Sequence, residues 1–154
     1  IEIGRRIRAE ILSETGLVAS VGIAPNKFLA KLASGLDKPD GFRVIRGEEA
    51  QAVLAPLSVQ HLFGVGERTA KRLAELGLRT IGELAALTPE QARQRLGPSA
   101  GYLHDLALGR DSRRVVPQRP EKSHGIERTF PDDIEDRAEL RRLDLARTRS
   151  RTLL

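Results

Sequence analysis

At 154 residues the chain has room for one compact domain or two small ones. Lysine and arginine outnumber aspartate and glutamate by 26 to 21, and a pI of about 10.2 suits a polyanionic partner. With no cysteine there is neither a disulfide framework nor a thiolate metal site, which fits a reducing cytoplasm. No apolar run approaches the roughly 18 residues of a membrane span, and aromatics at 3% are too few for the stacking platforms of single-strand binders. The chain opens at Ile1 and contains no Met, so it is expected to be an internal piece of a longer chain or a processed product.

Ile3, Ile7 and Ile11 fall at i, i+4 and i+8, which predicts an amphipathic helix that Gly16 ends. Leu17 to Ile23 is short, apolar and rich in β-branched residues, and reads as a buried strand. Asn26 is a good N-cap for a helix with Phe28, Leu29 and Leu32 on its apolar face, closing near Gly35. Asp37-Lys38-Pro39-Asp40-Gly41 is a tight turn, and Phe42 to Ile45 a second strand. Two strands alone are marginal, so this reads as the end of a mixed sheet.

From Gly47 the pattern becomes helical. Glu48 to Leu54 is one helix, broken before Pro56, and Ser58 can cap the next. Gly64-Val65-Gly66 then makes a tight hairpin. Both glycines can take positive φ, and Val65 plugs the turn into its own core. The helix that follows starts with unpaired N–H groups at its positive end, ready for a phosphate. Ala70, Leu73 and Leu76 make its apolar face, leaving Arg68, Lys71 and Arg72 toward solvent. This stretch resembles a helix-hairpin-helix motif, which grips the sugar-phosphate backbone without reading bases.

Thr80-Ile81-Gly82-Glu83 and Thr88-Pro89-Glu90-Gln91 are capping boxes, each marking a fresh helix. Another helix runs from about Ser99 to Leu108 and ends at Gly109. Arg110 to Pro120, with four arginines and two prolines, is an extended basic linker. Lys122 to Phe130 reads as a strand. Asp132, Asp133, Glu135 and Asp136 form a connector whose capping box, Asp136 to Glu139, opens an Arg-rich helix with Leu140 and Leu143. The fold class is α+β, mostly α. His61, His104 and His124 share no metal-ligand spacing, so packing or surface roles are expected.

In order and spacing, three motifs resemble the Y-family translesion DNA polymerases of the DinB type: Ser20-Val21-Gly22-Ile23-Ala24-Pro25-Asn26-Lys27-Phe28 running on to Lys38-Pro39-Asp40-Gly41, the Gly64-Val65-Gly66 hairpin, and Lys122-Ser123-His124-Gly125-Ile126-Glu127-Arg128-Thr129-Phe130. The resemblance implies that residues 1–47 are the C-terminal part of a palm, 48–109 a thumb, 110–121 a basic tether, and 122–154 the truncated start of a little finger. It implies a triphosphate contact at Lys38, and DNA contacts at Gly64, Val65, Gly66, Arg68, Lys71, Arg113, Arg114 and Arg119. Primer-template DNA and deoxynucleoside triphosphates are the partners it implies, with a sliding clamp reached through regions outside the segment. Mg²⁺ is the cofactor it implies for the full-length enzyme, on carboxylates expected upstream of Ile1. The segment alone is therefore expected to be inactive. A non-catalytic DNA-binding module, a catalytically dead polymerase homologue and a helix-hairpin-helix nuclease or ligase fragment are the alternative readings.

Overall fold

The computed structural model describes residues 1–97, 100–117, 136–138 and 141. The chain divides into two compact units, Ile1–Val115 and Val116–Leu154. In the second, the carboxylate of Asp136 accepts the Ala138 N–H at 2.8 Å, as a helix cap does. The expected strand at 122–130, Arg119, and the residues from Leu143 onward lie outside the described residues, as does Glu139 of the capping box. All that follows concerns the first unit.

Helix α1, Glu2–Thr15, ends as expected at Gly16 in the left-handed region, where the Gly16 N–H bonds the Leu12 carbonyl. Its isoleucine stripe is not covered: Ile3, Ile7 and Leu12 are exposed, and Gly4 is the helix's one buried residue. Strand β1 is only Val21–Ile23, because its partner β2, Phe42–Val44, offers three residues for pairing. Leu17 and Val18, expected within a buried strand, stand exposed before it. The strands run parallel, so the chain between them must cross over through α2, Lys27–Leu36. Asn26 caps α2 by accepting the Leu29 N–H at 3.0 Å, and Phe28, Leu29, Leu32 and Ala33 are buried.

Gly22 permits the strand to lie directly on α2. A Cβ there would fall 2.2 Å from the Ala30 carbonyl oxygen and 2.3 Å from the Ser34 nitrogen.

The remainder is helical. The expected helix at Glu48–Leu54 opens as a 3₁₀ turn, Gly47–Glu49, before α3, Ala50–Leu54. A 3₁₀ turn at Val59–His61, capped by Ser58, stands where the first helix of the hairpin motif was expected. It is followed by α4 (Glu67–Glu75), α5 (Ile81–Ala85), α6 (Pro89–Leu96) and α7 (Ala100–Ala107). Both threonine capping boxes form. In the first, N–H groups of Thr80 and Arg79 hold the Glu83 carboxyl below its ordinary pKa.

One expected core residue changes place. At the end of α4 the Gly77 N–H bonds the Ala74 carbonyl and the Leu78 N–H bonds the Leu73 carbonyl. That pairing is a Schellman stop, which turns the chain at Gly77 and sends Leu78 inward while Leu76 stays exposed. A single core then runs from Phe28 and Leu29 through Leu54, Leu73, Ile81 and Leu84 to Leu106. His104, buried against it, meets the Leu87 carbonyl through Nε2 at 2.8 Å.

The contact at Gly22 makes a sharp prediction. Gly22→Ala should destabilise the unit by more than ~3 kcal/mol, since rigid backbone must move to admit one methyl group. Loss of a cooperative thermal transition by circular dichroism is the expected result, and a melting point within a few degrees of wild type would refute the packing argument.

Candidate nucleic-acid interface

The Gly64–Gly66 hairpin stands on the surface. Gly64 has φ of 88°, a conformation that costs an L-residue about 1–2 kcal/mol. The Val65 N–H bonds the Leu62 carbonyl at 3.1 Å, closing the turn, and half-buried Val65 packs on the core as expected.

Gly66 corrects the sequence reading. Its φ of −87° and ψ of 177° are extended backbone open to any residue, and a Cβ there would meet nothing within 4 Å. It is the N-cap of α4, yet it supplies no side-chain acceptor for the first turn. The interior of the protein therefore has no need of glycine at 66. What the glycine provides is a bare approach to the amides of Glu67, Arg68 and Thr69 at the positive end of the helix. Arg68 and Lys71 are exposed on α4 beyond it, and Glu67 is the one acid of the first turn.

Lys38 sits on a turn that is fixed from three sides. The Gly41 N–H donates to Ser20 Oγ at 3.1 Å, and the Val21 N–H donates to the Gly41 carbonyl at 2.9 Å. Asp40, in the left-handed region at φ of 55°, receives the Arg8 guanidinium on both its carboxylate and its carbonyl. Asp37 receives Arg43 at 2.9 Å. Both acids flanking Lys38 are thus neutralised by arginines of other elements. Lys38 itself is exposed and makes no ion pair among the described residues.

The arginines of the linker divide. Arg114 is exposed, whereas Arg113 is held by Asp111. One carboxylate oxygen of Asp111 accepts Arg113 Nε at 2.7 Å and its N–H at 3.1 Å, and the other accepts Nη2 at 2.8 Å. That second oxygen also accepts the Phe28 N–H at 3.0 Å, in the first turn of α2. Beside it, Asn26 Nδ2 donates to the Gly109 carbonyl at 2.8 Å. The Arg113 guanidinium lies 4.7 Å from the centre of the exposed Phe63 ring, within cation–π range. Asp111 was missed in the sequence. The signal was an Asp two residues before a residue whose N–H it accepts, an Asx turn inside an arginine run.

Magnesium finds no cradle here. Among the described residues no group of three or more His, Cys, Asp or Glu could hold a metal ion, and Asp37 and Asp40 are each committed to an arginine. No helix among the described residues is long and apolar enough to cross a membrane.

The family described as impB/mucB/samB matches residues 1–35. The chain is 47% identical over 138 residues to DNA polymerase IV of Alkalilimnicola ehrlichii, covering 90% of this chain and 39% of that protein. It is 50% identical over 135 residues to DNA polymerase IV of Caulobacter vibrioides, covering 88% of this chain and 34% of that protein. Among solved structures, DinB from Sulfolobus solfataricus superposes with a TM-score of 0.61 at 36% identity, over 70% of this chain and 32% of that one. An insertion ternary complex of Dbh DNA polymerase gives a TM-score of 0.65 at 35% identity, over 74% and 33%. The chain thus spans 34% to 39% of the length of these two curated relatives. Its helices and parallel strand pair match part of those polymerase folds, and the likeness read from the motifs is shown over the matched residues.

The buried Asp111 carboxylate carries a pH dependence. Hydrogen bonds from the Arg113 guanidinium, ahead of all other causes, bring its pKa from an ordinary 3.8 to about 2. A lowered folded-state pKa means the stabilisation is present above 3.8 and is lost as pH falls toward 2. Asp111→Asn should therefore cost about 1.5–3 kcal/mol at neutral pH and flatten the acid limb of the stability curve. Urea melts at stepped pH check this, and equal acid limbs in both proteins would refute it.

Proposed function

We propose, taking the chain as a segment of a DinB-type Y-family DNA polymerase, that it grips primer-template DNA through the Gly64–Gly66 hairpin and meets the incoming nucleotide's triphosphate at Lys38. The whole enzyme would transfer nucleotides from deoxynucleoside triphosphates onto a DNA primer opposite damaged templates, in the cytoplasm. In this reading residues 1–47 close a palm, 48–109 are the thumb with its helix-hairpin-helix motif, 110–121 the tether, and 122–154 the start of the little finger. Mg²⁺ would supply charge stabilisation at the reacting phosphates from carboxylates other than the described residues of this chain.

The observation that carries the reading is Gly66, a glycine that the fold does not require, at a helix start with no side-chain cap. A phosphate seated on the Glu67–Thr69 amides gains several N–H bonds and the helix field together. Glu67 opposes it in part, and Arg68 and Lys71 offset that repulsion. At Lys38 the chemistry is plainer. A lysine whose neighbouring carboxylates are bound elsewhere presents its full charge to a polyphosphate, and stabilises the charge that shifts during phosphoryl transfer. Arg114, exposed at the tether's start, and Arg119 would follow the DNA backbone, while Arg113 works chiefly through Asp111.

If the hairpin and its helix neutralise about three phosphates, duplex affinity should fall roughly 40-fold between 50 and 200 mM salt, independent of sequence. Fluorescence anisotropy with two unrelated duplexes measures both, and salt-independent binding would refute the interface. Gly66→Ser should keep or slightly raise the melting temperature, because serine is a better N-cap, yet weaken duplex binding. A stable Gly66→Ser protein that binds DNA as wild type would remove the central argument. In the intact enzyme, Lys38→Ala should raise the KM for nucleotide about 10- to 100-fold, as expected for loss of a charged contact. Primer-extension kinetics with unchanged KM would exclude Lys38 from the triphosphate site.

A further inference from the structure

A cleft of about 600 Å³ opens between α2 and the segment leading into the hairpin. Its floor is apolar, made by Phe28, Leu32 and Leu36 of α2 and by Phe63. Lys27 and Lys31, one helical turn apart, stand at its edge with Arg113, and no carboxylate lines it. Neither lysine is paired among the described residues. The volume falls in the ordinary range for ligand sites, and while Phe28 and Leu32 belong to the core, Phe63 is exposed at the cleft.

Gly35, next to last in α2, also lines the cleft, and a Cβ there would meet nothing within 4 Å, so a larger side chain at this position has room to occupy the opening.

We propose that this cleft is a docking site for an acidic peptide segment of a partner protein, which seats an apolar anchor residue on the floor and sets its carboxylates against Lys27 and Lys31. Charge complementarity decides the sign of the partner. The floor suits a leucine or phenylalanine side chain, whose apolar surface it takes out of water. Arg113, fixed by Asp111 and packed against Phe63, makes one wall rigid before any ligand arrives. This site is separate from the hairpin amides, so its test does not depend on the DNA reading.

The test uses the intact protein and a fluorescein-labelled peptide of sequence EDLFED, with EDSSED and a single-stranded oligothymidylate as counterparts. EDLFED should bind at least ~10-fold more tightly than EDSSED, the difference expected when two large apolar side chains are buried. Gly35→Leu, which fills the cleft while favouring the helix, should weaken EDLFED by ~10-fold or more and leave duplex-DNA affinity within about twofold of wild type. Lys31→Glu should weaken EDLFED similarly. The proposal is overturned if EDLFED does not bind, if EDSSED binds as well, or if Gly35→Leu leaves EDLFED binding unchanged. It is also overturned if oligothymidylate binding is what Gly35→Leu abolishes, or if duplex affinity falls with it. Either result would give the cleft to nucleic acid and leave the Gly66 argument standing.

Discussion

The first unit depends on the way the start of α2 is laced to the chain that leaves α7. Asn26 faces both ways, with its oxygen capping α2 and its nitrogen on the Gly109 carbonyl. Asp111 does the same from the other side, taking a first-turn amide of α2 and the guanidinium two residues on. Two of these bonds join residues 83 positions apart, a neutral one at Asn26 and a charge-assisted one at Asp111, and each stabilises by about 0.5–3 kcal/mol. Residues of α2 and of the helices after Gly47 share one core, and this seam joins the same two parts of the chain. The same seam aims Arg113 at Phe63 and so shapes one wall of the cleft beside α2.

Two kinds of glycine do different work in the molecule. At Gly22 the surroundings leave no room for a methyl group, and at Gly64 the backbone angle disfavours one. At Gly66 and Gly35 neither reason applies. Residues that the fold would readily replace, found on a basic surface, are better explained by what approaches from outside. The hairpin and the cleft are two neighbouring surfaces, and as proposed one would meet phosphates and the other an acidic, apolar segment.

Much of this was legible in the sequence wherever the cause was local. Asn26, Thr80 and Thr88 cap the helices they were expected to cap, because a side chain and an amide three residues away suffice. Gly16 and Gly77 stop helices for equally local reasons. What could not be read depended on partners distant in the chain. The length of β1 is set by β2, and Arg43 of β2 and Arg8 of α1 reach the acids beside Lys38. Both glycines of the hairpin looked alike, yet only Gly64 takes positive φ. In the candidate site, the place of the hairpin and its exposed cations was legible. The capture of Arg113 was not, since a run of arginines conceals which one meets Asp111.

The arginines around Lys38 carry a consequence for mutational epistasis. Asp37 and Asp40 are paired with Arg43 on β2 and Arg8 on α1, so the field at Lys38 is shaped in part by residues of other elements. Removing Arg8 would unmask a carboxylate two positions from Lys38 and act there like an added negative charge. Effects of substitutions at 8, 38 and 43 should then fail to add, because each changes the charge that the other two meet.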